Sequence, residues 1–272
     1  MEKALYKQLL YKYLLKDTAI NFSEMDCYNL FLCAIEEKVD ALLYKKICDN
    51  KQLDTIPKPI KKQLYLSYTY NIQKNKLYLS ELQKIQQILK AKNIFVLPEK
   101  GIFLINNIYQ DFGTRYMEDI DIIAMSSDFQ SLKIILEDNK YELTLINDKD
   151  WAIHMKQSPI ESCLFLKKEN LPFPIPFIKI DISFINNVKN KDLFSYGSIT
   201  DTLLRLCKYA YINANEKSER IPLNCSLNKL LDIICFIQQY PTNQTDIFEN
   251  KKYQNLPEVI YIKECIKYYE SI

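Results

Sequence analysis

Glycine is scarce in this chain, which has only Gly101, Gly113 and Gly197 among its 272 residues. Average usage near 7% would give about nineteen. P-loops, GxGxxG dinucleotide turns and glycine-rich kinase loops each need several glycines within a short window. The sequence therefore excludes these three ways of holding a phosphate group.

Histidine is almost missing, and the cysteines lack metal-binding spacing. The single histidine, His154, has no nucleophile motif around it, so we expect a core or surface residue rather than a catalytic base. The eight cysteines form no CxxC pair, which argues against a zinc site. Most lie within apolar runs, and this pattern predicts reduced, buried thiols in a cytoplasmic protein.

Long apolar runs and an excess of one charge are also missing. No run of eighteen apolar residues occurs, and the opening MEKALYKQLLYKYLL is charged throughout, so we expect no membrane partner and no signal peptide. Lys+Arg number 36 against 34 Asp+Glu, which gives a net charge of +2. A duplex-DNA partner is not expected, because no overall basic field is present.

Hydrophobic periodicity divides the chain into three regions. Residues 1–92 predict helices, including a long one after Pro57 and Pro59 that continues without glycine or proline. The helical pattern returns over residues 191–272. We predict an N-terminal and a C-terminal helical region on either side of a different middle region.

The middle region, residues 93–190, mixes strand and helix signals. IFVL predicts a short strand that ends at Pro98, and a helical pattern covers 101–109. Strands are expected at 120–123 and in YELTLI, WAIHM, ESCLFLK and FIKIDISFI. Strands interleaved with a few helices predict an α+β fold with a small mixed sheet as its core.

Three aspartates carry the strongest chemical signal. Residues i and i+2 of a strand project from one face, so Asp119 and Asp121 should point together, opposite to Ile120 and Ile122. Paired carboxylates repel each other unless a cation lies between them, and oxygen ligands suit Mg²⁺ or Mn²⁺. Asp181, in FIKIDISFI, would add a third carboxylate from a neighbouring strand. The alternative is an edge strand with a solvated face.

The sequence around these aspartates resembles a known family. IFVLPEKGIFLINNIYQDFGTRYMEDIDIIAM is similar to the signature of the uncharacterised nucleotidyltransferase family, in the DNA-polymerase-β-like superfamily. The matching residues are Lys100, Gly101, Tyr109, Arg115, Asp119 and Asp121. The resemblance extends over about residues 90 to 240, with Asp181 as the third carboxylate and Lys229 and Asp232 at recurring places in the helical tail.

The chain departs from the family pattern near two of these residues. Most members have Leu before Lys-Gly, whereas here Pro98-Glu99 stands in its place and puts a negative charge beside the expected phosphate site. The third carboxylate is followed by ISF at 182–184, where Leu-His-Trp is common. The metal ligands are retained, whereas acid–base or acceptor contacts through the family's histidines are put in doubt.

The resemblance implies a metal-dependent nucleotidyltransferase. Such an enzyme transfers a nucleoside monophosphate from an NTP, such as ATP, to an acceptor hydroxyl and releases pyrophosphate. Asp119 and Asp121 would bind two Mg²⁺ or Mn²⁺ ions, and Asp181 would bind the catalytic ion and help to activate the acceptor.

Three further residues are expected to hold the nucleotide. Lys100 and Gly101 lie at a strand-to-helix turn, where backbone N–H groups favour anions and a lysine brings a charge to the β- or γ-phosphate. Arg115 would contact the triphosphate or hold the acidic cluster through a bidentate pair. Lys229 and Asp232 are either a structural pair on one helix or a contact to the base or ribose.

Two other functions stay open, as does the acceptor. The same fold can belong to a catalytically inactive nucleotide-binding or scaffolding protein, which the altered residues near Lys100 and Asp181 favour. It can also belong to a tRNA-modifying nucleotidyltransferase toxin. The acceptor can be RNA, a protein or peptide, or a small molecule, and the base preference is open.

Overall fold

A computed structural model shows how these patterns fold. It describes residues 2–16, 21–22, 26–147, 161–169, 171–172, 174–185, 198–215, 225–241 and 247–271. His154, the predicted WAIHM strand and Gly197 lie outside the described residues.

The described residues form helices at both ends of the chain and strands in the middle. The helices are α1 (Glu2–Leu15), α2 (Cys27–Glu36), α3 (Asp40–Asp49), α4 (Lys58–Ala91), α5 (Lys100–Leu104), α6 (Phe129–Asp138), α7 (Ile199–Asn215), α8 (Leu227–Gln239) and α9 (Pro257–Glu270). The strands are β1 (Leu97–Pro98), β2 (Ile120–Met125), β3 (Glu142–Asn147), β4 (Ser162–Lys167) and β5 (Ile178–Ile185). Short 3-10 turns cover Leu53–Thr55 and Ser126–Asp128, and a π-helical turn covers Ile105–Tyr109.

The chain divides into two compact units. The first comprises Met1–Ile72, Ile105–Tyr116 and Ile199–Ile272, and the second comprises Gln73–Leu104 and Met117–Ser198. Helix α4 begins in the first unit and ends in the second. As its sequence indicates, α4 begins after Pro57 and tolerates Pro59 because the first N–H groups of a helix have no partner within the helix.

The first unit is helical. Helix α1 packs against α2, α3, α8 and α9, and α7 packs against α8 and α9. The start of α2 is fixed by Asp26, whose carboxylate accepts hydrogen bonds from the backbone N–H groups of Tyr28 and Asn29, both at 3.1 Å. An aspartate cap of this kind stabilises a helix by about 1 kcal/mol.

The second unit contains the sheet. Its strand order is β1-β2-β5-β4-β3, with β2 and β5 parallel and the other neighbouring pairs antiparallel. The side chains of Ile120, Ile122, Ile180 and Ile182 are almost completely buried, which fixes the register of the two parallel strands. The mixed sheet, with helices before and after it in the chain, confirms the predicted α+β class.

Strand β1 is shorter than the IFVL run predicts. Only Leu97 and Pro98 pair with β2, opposite Ile123 and Ile122. Proline has no N–H to donate, and β1 lies at one end of the strand order, where a proline is tolerated. The next residue continues the contact, because the Glu99 N–H donates to the Asp121 carbonyl at 2.9 Å.

Gly113 lies in the turn that follows the π-helical turn. Its N–H donates to the Asp111 carboxylate at 2.7 Å, and the Tyr68 hydroxyl donates to the same carboxylate at 2.9 Å. A Cβ atom at position 113 would lie 2.3 Å from the Tyr68 ring. Glycine is therefore required by the close approach of this ring.

Two further sequence predictions concern the cysteines and the possibility of a membrane-spanning helix. All eight cysteines are free, five of them buried and three half-buried. Within the described part of the chain, no helix has both the length and the apolar character needed to cross a membrane.

Candidate active site

Two parallel strands bring the three predicted aspartates together. Strands β2 and β5 are neighbours, and their register places Asp121 directly opposite Asp181. Asp119 precedes β2 by one residue. Oxygen atoms from the three carboxylates all lie within 4.8 Å of one another. We call Asp119, Asp121 and Asp181 the acidic cluster.

The acidic cluster is buried at its centre and accessible at its sides. Asp121 is only 6% exposed, whereas Asp119 and Asp181 are half-buried. Three carboxylates so close together in a partly dry site repel one another, and the repulsion is costly unless cations compensate it. The sequence predicted this grouping from the Asp-x-Asp spacing and the apolar residues around Asp181.

Two lysine ammonium groups contact the acidic cluster. Lys100 Nζ lies 2.5 Å from Asp121 Oδ1, and Lys179 Nζ lies 2.9 Å from Asp119 Oδ2. Lys100 is the first residue of α5, and its positive φ of 42° marks the sharp strand-to-helix turn that precedes it. Gly101 follows it and is buried in the first turn of α5.

Arg115 belongs to a different cluster, within the first unit. Its Nε and Nη2 atoms donate to the two carboxylate oxygens of Asp232 at 2.9 and 2.7 Å. The Tyr109 hydroxyl donates to the same carboxylate at 2.8 Å. We call Tyr109, Arg115 and Asp232 the arginine cluster. It joins the 105–116 segment to α8, and a contact of Arg115 with triphosphate stays a prediction.

Asp232, for which the sequence suggested a pairing with Lys229, has its described partners in the arginine cluster. Side chains from outside α8 bind both carboxylate oxygens of Asp232, which is 5% exposed at the side chain. A planar guanidinium with two parallel N–H bonds satisfies a buried carboxylate better than a lysine would. Arg115 and Asp232 therefore form a structural contact, although they are 117 positions apart in the sequence.

Comparison with known families agrees with this geometry. The model of a family described as uncharacterised nucleotidyltransferase matches residues 23–261 of the 272. The chain belongs to this family. No curated protein and no solved structure matches the chain.

Membership in a nucleotidyltransferase family supports nucleotidyl transfer as the general chemistry and an NTP as a substrate. The match extends from α2 and its preceding residues to α9, beyond the region that carries the sequence signature. The acidic cluster of this nucleotidyltransferase is compatible with a divalent-metal site.

Burial and mutual repulsion raise the pKa values of two carboxyl groups. Burial, followed by the charge of Asp119, raises the pKa of Asp121 from 3.8 to about 7, although Lys100 opposes the change. Burial is also the main cause of the raised pKa of Asp181. Burial lowers the pKa of Lys179, but its hydrogen bond with Asp119 and the charges of Asp119, Asp181 and Glu118 together raise it above the usual value. The site therefore has unbalanced negative charge that an added cation would relieve.

The donor set fits a magnesium or manganese ion. Mg²⁺ bonds to oxygen are about 2.1 Å long, so two oxygens on one ion are about 3 Å apart when adjacent and about 4 Å apart when opposite. The oxygens of the acidic cluster lie within 4.8 Å of one another, which is close to these separations. Carboxylate oxygens without nitrogen or sulfur donors favour these hard ions over zinc.

Lys179 is a further residue of this site that the sequence patterns above did not indicate. Lys179 and Asp181 are two residues apart on β5, the same spacing as Asp119 and Asp121, so the two side chains share a face of the sheet. The alternation Ile-Lys-Ile-Asp was therefore the available signal. Lysine is rarely buried without a charged partner, so a lysine in a partly buried strand beside a candidate ligand indicates an ion pair at the site.

Proposed function

We propose that this nucleotidyltransferase transfers a nucleoside monophosphate from an NTP to an acceptor hydroxyl. The acceptor oxygen forms a bond to the α-phosphorus, the α–β phosphoanhydride bond breaks, and pyrophosphate leaves. Bound Mg²⁺ or Mn²⁺ would polarise the acceptor hydroxyl and neutralise the phosphate charge. Asp119, Asp121 and Asp181 are the ligands that we propose for these ions.

One observation carries the proposal. Three carboxylates from two adjacent strands converge within 4.8 Å, and the central one is buried. Stability alone does not favour such a grouping, because bringing like charges together in a partly dry site costs free energy. Grouped carboxylates with raised pKa values are typical of functional sites.

Lys100 is the residue that we propose for phosphate binding. Its ammonium reaches the acidic cluster from the first turn of α5, and the first N–H groups of a helix are available to anions. Gly101, buried beside Lys100 in the same turn, is the second residue that we propose for this role. A lysine provides a point charge that can follow the leaving pyrophosphate.

Asp181 is the residue that we propose for activation of the acceptor. It is half-buried and lies opposite Asp121 in the register of β2 and β5, where it would bind the catalytic ion and take the proton of the acceptor hydroxyl. Asp121 is buried and lies 2.5 Å from the Lys100 ammonium, so the role that we propose for it is to bind the metal ions and fix their position.

The test is a nucleotidyl-transfer assay with matched variants. The protein is incubated with each α-labelled NTP, Mg²⁺ or Mn²⁺, and separate pools of RNA, peptides and small hydroxyl compounds. Pyrophosphate release and label transfer are both measured. Asp119→Asn and Asp121→Asn should each lower the rate by at least a hundredfold. Each removes a proposed metal ligand itself, and loss of a residue that only hydrogen-bonds to a ligand already costs about ten- to a hundredfold.

Glu142→Gln is the matched control, since Glu142 is an exposed carboxylate on β3 of the same sheet. This variant should keep the wild-type rate. Equal turnover in the two aspartate variants and wild type would refute the assignment. Binding of Mg·NTP without pyrophosphate release in any acceptor pool would favour the inactive nucleotide-binding protein instead.

The same assay separates the acceptor classes. Label on RNA would identify a nucleic-acid acceptor, and label on tRNA together with growth arrest on expression would favour the toxin. Label on peptide or on a small compound would identify those classes. We place the reaction in the cytoplasm, in keeping with eight free thiols.

A further inference from the structure

Lys179 binds an oxygen atom of Asp119 that could otherwise bind a metal ion. Its ammonium lies 2.9 Å from Asp119 Oδ2, and both side chains are partly withdrawn from water, with 28% and 23% of their surfaces exposed. An ammonium and a divalent ion both bind carboxylate oxygens through the same lone pairs. The two cations therefore compete for Asp119.

The position of Lys179 on β5 places its ammonium beside the acidic cluster. The side chain shares a face of the strand with Asp181 and reaches Asp119 across the pair of parallel strands. Lys100 makes a parallel contact, with Asp121. These two lysines thus neutralise part of the charge of the acidic cluster.

We propose that Lys179 competes with metal for Asp119 and gives up this contact more readily when nucleotide binds together with the metal. The proposal rests on the proposed function, because it assigns the metal to the acidic cluster. Lys179 is a positioning residue in this account. It makes metal affinity depend on the nucleotide.

The reason is the cost of leaving a partly buried ammonium without a partner. A metal ion that binds alone must take Asp119 from Lys179, and the ammonium then faces a dication at close range. Phosphate oxygens of an NTP give the ammonium a new charge-assisted hydrogen bond. Metal binding is therefore weak without nucleotide and stronger with it, and the coupling is reciprocal.

The experiment measures Mn²⁺ affinity by the electron paramagnetic resonance signal of free Mn²⁺. Titrations are made with and without an α,β-methylene NTP analogue, which cannot be cleaved. Lys179→Met removes the charge and keeps most of the aliphatic stem. Without nucleotide, this variant should bind Mn²⁺ about tenfold more tightly than wild type, the effect of about 1.4 kcal/mol.

Nucleotide should then raise the Mn²⁺ affinity of Lys179→Met by a smaller factor than it raises the wild-type affinity. Lys179→Arg keeps the charge and should behave like wild type. Lys133→Met is the control for loss of a lysine elsewhere, because Lys133 belongs to α6 and pairs with Glu137. It should leave both affinities unchanged.

The results separate this inference from the proposed function. If wild type binds no Mn²⁺ even with nucleotide, the proposed function fails. If wild type binds Mn²⁺, but Lys179→Met binds it equally or more weakly with unchanged nucleotide coupling, only the inference about Lys179 fails. Circular dichroism checks folding, and Lys179→Gln replaces Lys179→Met in the same comparison if the latter does not fold.

Discussion

Replacing Asp121 with asparagine should stabilise the metal-free protein. Burial and the charge of Asp119 raise the pKa of Asp121 from 3.8 to about 7, so the ionised form is disfavoured in the folded state. At about 1.4 kcal/mol for each pKa unit, the ionised carboxylate costs at most about 4 kcal/mol of stability above pH 7. Asparagine keeps the shape of the side chain and removes this cost.

The sign of the pH dependence follows from proton binding. Between the unfolded pKa near 4 and the folded pKa of about 7, folded Asp121 binds more protons than unfolded Asp121, so wild-type stability falls as pH rises through this range. The excess stability of Asp121→Asn should therefore increase from pH 4 to pH 7 and then level off. Urea denaturation in EDTA at several pH values measures it.

Divalent metal should reduce the excess stability of Asp121→Asn over wild type. Mn²⁺ at a hundred times its Kd adds about 2.7 kcal/mol to a protein that binds it only when folded. Wild type should gain this increment, with nucleotide present if needed, and Asp121→Asn should gain little.

The control for the Asp121 experiment is Glu81→Gln. Glu81 is also buried, but its ion pairs with Lys167 and Lys84 lower its pKa although burial opposes this. Glu81→Gln should therefore destabilise the protein near neutral pH. If Asp121→Asn is less stable than wild type in EDTA at pH 8, the ion pair with Lys100 outweighs burial and repulsion, and the reasoning is wrong.

Two other substitutions test the contacts of the 105–116 segment. Gly113→Ala should lower the free energy of unfolding by about 1–3 kcal/mol, because its Cβ would lie 2.3 Å from the Tyr68 ring, and urea denaturation would show an unchanged midpoint if this is wrong. Arg115→Met should cost about 3–5 kcal/mol because it leaves the Asp232 carboxylate buried without its guanidinium. Arg115→Met/Asp232→Leu should recover much of that loss, and a double variant no more stable than the single one would contradict the pairing.

Much of the fold could be predicted because it depends on local patterns. Strand β5 has the period of two that a half-buried strand requires, β2 is a short apolar run buried over most of its length, and the long α4 follows from a stretch without glycine or internal proline. The Asp-x-Asp spacing similarly placed Asp119 and Asp121 on one face. The regions 1–92, 93–190 and 191–272 stay predictions of domain boundaries.

The contacts of Arg115 and Lys179 could not be predicted in the same way. Arg115 and Asp232 are separated by 117 positions, and only the packing of α8 on the 105–116 segment brings them together. Lys179 is separated from Asp119 by 60 positions, and the contact depends on the parallel pairing of β2 with β5. Periodicity predicts which face a side chain occupies, but not which distant element will cover that face.

Anomalous X-ray diffraction from a crystal of the protein with Mn²⁺ and an α,β-methylene NTP analogue tests the central claim most directly. We expect Mn²⁺ within about 2.2 Å of oxygens from Asp119, Asp121 and Asp181, with the phosphates of the analogue completing the coordination. Bound analogue without Mn²⁺ at the acidic cluster, or Mn²⁺ held only by other residues, would contradict the account.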